Sequence, residues 1–269
     1  MKKNLSGFSL ILVLAGLFLL MASYVYATAT DPTGPQNIKR FNSSRFNTSN
    51  WPSIRIDAEA GNVTELLITS LTQTQTWQGY YGNITGTITL DDANNWTMYS
   101  WALAEPQGEI YASNGSIVIW DNIRCVNYSN DGATGNYSEN ITKLETWLGL
   151  HPMDVDGIDE TFNETGILSD GATPHPTFYV GTHTIAQGTC PATDTYQNDS
   201  KAGIDFVEVL LTDNQSIIFT TIIENDNPSD DTDIYGFDNK THDFQMIVGD
   251  NGHDGDDTIT PYYFFVELE

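Results

Sequence analysis

Positive charge is nearly missing from this 269-residue chain: ten Lys and Arg stand against 36 Asp and Glu. Two of the ten, Lys2 and Lys3, open the chain, so eight remain beyond residue 27, where the formal charge is near −28. Phosphate backbones are bound by clustered Lys and Arg, which removes nucleic acid from the list of partners. An anionic lipid surface would repel such a chain as well. Cysteine is almost absent, with Cys125 and Cys190 alone. Hydrolase signatures are missing too: there is no Gly-x-Ser-x-Gly elbow and no His-Glu-x-x-His helix. No internal repeat of useful period occurs, and no cofactor motif is seen beyond acidic loops that suit calcium.

Sequons, in contrast, are abundant. Beyond residue 27, Asn-x-Ser/Thr triplets start at Asn42, Asn47, Asn62, Asn83, Asn95, Asn114, Asn127, Asn136, Asn140, Asn163, Asn198, Asn214 and Asn239. With 22 Asn and 49 Ser plus Thr in the chain, chance placement gives about four. Thirteen point to a surface that is N-glycosylated outside the cell. An exported context also makes Cys125 and Cys190 a disulfide pair, closing a loop of about 65 residues. The acid excess then fits solubility of a crowded surface protein, divalent-cation binding or life in high salt. Twelve Phe, 13 Tyr and six Trp supply the material of a packed core, so acidity does not mean disorder.

The N-terminus agrees with export. Lys2-Lys3 precede an uncharged stretch from Phe8 to Ala22, and Val25-Tyr26-Ala27 offers a signal-peptidase cleavage point. Residues 1–27 therefore read as a signal peptide, or as an uncleaved membrane anchor if the run extends through Ala27 to spanning length. Gly7-Phe8-Ser9-Leu10-Ile11 resembles the leader junction of type IV pilins, in which a peptidase cuts after the Gly. Leu12 stands where bacterial pilins carry Glu, and Asp31-Pro32-Thr33-Gly34-Pro35 follows where a pilin helix would continue.

Residues 28–52 read as a flexible arm, with Pro32, Pro35 and Pro52, few apolar side chains and two sequons. From 53 to 269 strand patterning dominates. Apolar or alternating runs lie at 54–57, 65–69, 84–90, 97–103, 109–112 and 116–120, then at 178–180, 205–211, 216–223, 244–248 and 262–268. Turn residues separate them, as at Asp91-Asp92-Ala93-Asn94 and Thr212-Asp213-Asn214-Gln215. One short helix is expected near 141–149, opened by a capping box at Thr142–Glu145 and ended by Gly149. These elements predict an all-β fold, a single β-sandwich of jelly-roll or immunoglobulin-like type.

Three acidic loops carry the metal chemistry that the chain can offer. Asp154, Asp156 and Asp159 place carboxylates around Gly157, as calcium loops do. Asp250, Asp254 and Asp256 follow part of an EF-hand pattern, with Gly252 and Pro261 at two ligand positions. Asp226–Asp233 is a third cluster, and all three also suit ordinary turns. His175 and His183 lie too far apart on an extended strand to share one ion. Trp77, Tyr80, Tyr81, Trp96, Trp101 and Trp120 form either core or a sugar-stacking platform.

Gly203-Ile204-Asp205-Phe206-Val207-Glu208 resembles the Glu-x-Asp-x-x-Glu strand of laminarinase-like glycoside hydrolases, with Gly in place of the nucleophile. A retaining mechanism needs two carboxylates about 5 Å apart, so this strand alone lacks half the machinery. Over its whole length the chain resembles in character the secreted and cell-surface proteins of archaea: leader, sequons, acidity, one cysteine pair and Thr/Asn-rich strands. The expectation is a non-enzymatic, glycosylated surface protein with a structural or adhesive role, an envelope-layer or extracellular-filament subunit. Its partners would be further copies or other surface proteins. A carbohydrate-binding module taking a glycan ligand is the alternative, a glycosidase the third class, and the membrane is met only through an uncleaved leader.

Overall fold

The computed structural model describes residues 30–46, 52–127, 140–150, 154–200, 204–224, 234–250 and 259–268. The expected leader lies outside them, and no helix among the described residues is long and apolar enough to cross a membrane. In chain order the strands are β1 (Trp77–Gly82), β2 (Gly86–Asp91), β3 (Thr97–Leu103), β4 (Gly108–Ser113), β5 (Arg124–Cys125), β6 (Phe178–Val180), β7 (His183–Ile185), β8 (Ala192–Asp194), β9 (Val207–Thr212), β10 (Ile217–Ile222), β11 (Phe244–Gly249) and β12 (Tyr263–Leu268). Helices α1 (Ile141–Trp147) and α2 (Ile158–Thr161) are short. The fold is all-β, with its strands spread over several sheets.

Six strands make the central antiparallel sheet, in the order β12-β4-β10-β9-β5, with β8 also on β9. Its middle strands are apolar on both faces, which is why they read as nearly continuous hydrophobic runs and not as alternation. Toward one face point Ile110, Ala112, Leu210, Ile217 and Phe219, packed with α1, α2 and the β1–β11 ribbon. Phe219 meets the rings of Trp77, Phe162 and Tyr262 at centroid distances of 6.2, 6.1 and 5.8 Å. Toward the other face point Tyr111, Val207, Val209, Leu211 and Ile218, under the β6–β7 hairpin and a 3₁₀ turn at Trp120–Asn122. There Trp120 sits between Tyr111 and Phe265, 5.2 and 5.3 Å away.

Cys125 and Cys190 form the expected disulfide, Cα atoms 4.9 Å apart. Its position explains its use. β5 and β8 occupy successive stretches of the same edge of β9 and meet at Leu210. Val126 N–H donates to the Leu210 carbonyl (3.3 Å), and Leu210 N–H donates to that of Pro191 (2.9 Å). The disulfide thus joins two strands too short to hold the edge separately. His175 shapes the same corner: its buried ring accepts from Thr189 and Cys190 N–H through Nε2 (3.1 Å each) and meets the Pro176 carbonyl through Nδ1 (2.8 Å). Burial holds its pKa below the usual value, which keeps the accepting nitrogen bare.

Several sequence expectations shift. The runs 54–57 and 65–69 join no sheet among the described residues, and the first strand starts at Trp77. The run 116–120 does not pair either; it leads into the 3₁₀ turn, with the Ile119 N–H given to Asp213 (2.9 Å). α1 is where the pattern placed it, but its cap is Asn140, whose side chain accepts from Thr142 N–H, and Glu145 does not return to the helix start. In the chain-entropy picture the disulfide loop is worth about 4 kcal/mol. Reducing it, or replacing both cysteines by Ser, is expected to lower the denaturant midpoint accordingly, read by urea unfolding with and without reductant.

Candidate functional site

Among the described residues, one group of carboxylates converges: Glu145, Asp159 and Glu160, with ligand oxygens within 4.8 Å of one another. Glu145 leaves α1 to cap α2, its Oε1 accepting from Ile158 N–H (3.0 Å) and Asp159 N–H (3.2 Å). Burial, then contact with Asp159, pushes its pKa up to about 7. Asp159 is held low, chiefly by a hydrogen bond from Glu160, whose own carboxyl is raised by that same bond. The trio shares protons, and a divalent cation could replace them. Only Asp159 belongs to the ligand set read from the sequence. Asp156 turns its carboxylate to the Thr74 hydroxyl (2.6 Å), and Asp154 accepts from Gly157 N–H through its carbonyl (3.2 Å). Asp250 takes Thr260 N–H (3.3 Å), while Asp254 and Asp256 lie outside the described residues.

Glu208, at the acid/base position of the glycosidase-like strand, is fully buried. Its Oε2 accepts from Ile247 N–H of β11 (2.9 Å), Oε1 has no protein partner, and burial raises its pKa well above the carboxylate range. It is sealed between β9 and β11.

The sequons sort by exposure. Asn42, Asn62, Asn83, Asn95, Asn127, Asn163, Asn198 and Asn239 are exposed, Asn114 and Asn214 half-buried, and Asn140 is 6% exposed. Asn47 and Asn136 lie outside the described residues. Asn95, Asn198, Asn214 and Asn239 have φ of 62, 49, 76 and 58°, so a left-handed turn already favours Asn at these four. The backbone does not require the hydroxyl two residues on, which is Thr97, Ser200, Ser216 and Thr241.

Two surfaces stand uncovered. The β2–β3 ribbon pairs Ile88 with Trp101 and Leu90 with Tyr99 on one face, and these four are 50, 49, 50 and 58% exposed. Segment 53–71 is exposed throughout, including Ile54, Ile56, Val63, Leu66, Leu67, Ile68 and Leu71. Strand patterning had signalled both; what it could not signal is that neither finds a cover among the described residues. Along β1 and β11 runs an open groove of about 1130 Å³ that includes Trp77, Tyr80, Tyr81, Phe237 and Gln245. Of the aromatic platform residues, Trp120 is buried, Trp77 half-buried, and Tyr80, Tyr81, Trp96 and Trp101 exposed.

Two outcomes are expected. In a glycopeptide map, Asn140 stays unmodified while the exposed acceptors carry glycan, because its side chain is buried at the start of α1. Between the ordinary value of 4.5 and about 7, the folded chain keeps a proton on Glu145 that the unfolded chain has lost, so stability falls as pH rises through this window. Glu145→Gln, which retains the capping oxygen, should shrink the drop in melting temperature between pH 5 and pH 8. Comparison with protein families, curated proteins and solved structures finds no match for this chain.

Proposed function

We propose that the chain is an exported, N-glycosylated, non-enzymatic cell-surface protein with a structural or adhesive role, a subunit of an envelope layer or an extracellular filament. Sequon density carries this reading: thirteen acceptors, eight of the eleven described ones exposed and spread from Asn42 to Asn239. The leader pattern and the disulfide suit an oxidising exterior. Extended apolar segments left in solvent suit a protein completed by neighbours. The six-stranded sheet facing the β1–β11 ribbon is read as the single sandwich. A structural calcium ion at Glu145, Asp159 and Glu160 belongs to the same proposal, and a rise in melting temperature on adding calcium, lost in Glu145→Gln, checks it.

Intact mass of the protein recovered from the outside of its cells tests the reading in one measurement. A mature chain starting at residue 28 or 8, or a retained leader, with several discrete glycan masses is the expected result. An unmodified chain confined to the cell interior sinks it. The groove along β1 favours a second reading, a carbohydrate-binding module stacking sugar on Tyr80 and Tyr81. A polysaccharide pull-down lost in the Tyr80→Ala, Tyr81→Ala double variant would establish that reading instead.

A further inference from the structure

Among the described residues, two strand-patterned pieces stand outside the larger sheet. The first is the β2–β3 ribbon. Two strands alone are marginal in water and need a third strand or a cover over an apolar face. Here Ile88, Leu90, Tyr99 and Trp101 form that face, and all remain about half exposed. Only the foot of the ribbon reaches the body, where Gly86 lies against Leu268. Asp91, Asp92 and Glu105 are the charged residues from 86 to 107, with no basic residue among them.

The second piece is segment 53–71, which turns once at Ala60-Gly61, where Asn62 N–H donates to the Glu59 carbonyl (3.2 Å). It alternates at Ser53-Ile54-Arg55-Ile56-Asp57 and is strand-patterned from Val63 to Leu71. None of it pairs among the described residues. The chain leaves the body at this point because Thr74 is tied to Asp156 and Thr76 to Asp250, just before β1. Upstream, Thr33 is seated on the outer edge of β12, exchanging hydrogen bonds with Val266 (3.1 and 2.8 Å). The contact is a single bridge; the chain bends at Gln36, and Ser43, Ser44 and Arg45 lie along the groove over β1.

Charge completes the match. Lys39, Arg40, Arg45 and Arg55 are half of the eight basic residues beyond the leader, and residues 32–56 contain no acid. Residues 57–269 hold four basic residues against 35 acidic ones, a formal charge of −31. The cationic stretch 39–55 therefore attracts the acidic body of a second copy, while Asp57, Glu59 and Glu65 in the segment behind it leave the strand contact itself to apolar side chains.

We propose that residues 63–71 of one copy, the piece that follows the turn, add as a strand to the β2–β3 ribbon of a second copy, their apolar side chains packing toward Ile88, Leu90, Tyr99 and Trp101. The contact rests on the reading of the chain as a surface subunit and names its assembly mode. Donor and acceptor lie on different surfaces, so the contact is head-to-tail and propagates into an open fibre, not a closed pair.

Mixing of two full-length mature variants tests this. Leu67→Ser with Ile68→Ser disables the donor; Ile88→Ser with Trp101→Ser disables the acceptor; all four sites are exposed, and circular dichroism verifies the fold of each variant. By light scattering at high concentration, the wild type should form long oligomers and each variant should stay monomeric. Their equimolar mixture should give dimers that do not grow, because one intact donor meets one intact acceptor. A monomeric wild type, as would follow if the segment pairs with its own ribbon, overturns the proposal. So does a variant that still polymerises alone, or a mixture that stays monomeric. The intact-mass measurement is independent, so a failure here leaves the surface-protein reading standing or falling on its own result.

Discussion

Double-sided burial of the central sheet is the constraint from which the rest of this molecule follows. Leu210, Ile217 and Phe219 enter one core while Val209, Leu211 and Ile218 enter the other, so β9 and β10 have no face left for water. The elements that dock on it serve as cover. α1, α2 and the β1–β11 ribbon close one side; the β6–β7 hairpin and the turn at Trp120 close the other. At the β9 edge no long strand is available, and two short ones joined by Cys125–Cys190 serve instead. The polar groups trapped by this arrangement carry the perturbed acids: Glu208, pressed between β9 and β11, and Glu145, drawn inward to cap α2. Their raised pKa values are consequences of packing and imply no catalytic task.

Cover for the central sheet exhausts the elements that dock. What remains, β2–β3 and the segment before β1, is as apolar as the docked strands yet lies in solvent. For a chain of this acidity, copies repel at long range, and a basic arm concentrated in residues 39–55 counters that locally. Glycans at exposed turns would leave bare mainly the sheet edges and this ribbon. Asn83 and Asn95 flank the ribbon at its foot and its turn, not along its apolar face.

Local chemistry was readable where it acts over a few residues. Alternation and β-branched runs marked eight of the twelve strands in whole or part, the Asp213–Gln215 turn marked the β9–β10 hairpin, and Gly149, at φ 71°, marked the end of α1. The cysteine pair was readable because only one pairing exists. β5, β7 and β8 escaped because so few residues carry no clear period, and they are strands only because β9 and β6 offer them an edge; β1 escaped because Gly79 and Gly82 interrupt its pattern. The Asp154 loop was read as a ligand set from spacing. In the fold its carboxylates take different local partners, and Glu145, thirteen residues away from Ile158 in sequence, arrives at Asp159 from a neighbouring helix.

By itself the sequence determined the all-β character, the disulfide, the acidic surface and the turns at which most sequons sit. Each of these depends on residue type or short-range pattern. Only the tertiary structure decided which apolar strands would be buried. A strand is patterned identically whether its cover comes from its own chain or from elsewhere, and burial depends on contacts between residues far apart in sequence. That is why the runs at 54–57 and 65–69 read like β4 and β10, yet stand uncovered among the described residues, as does the two-stranded β2–β3 ribbon.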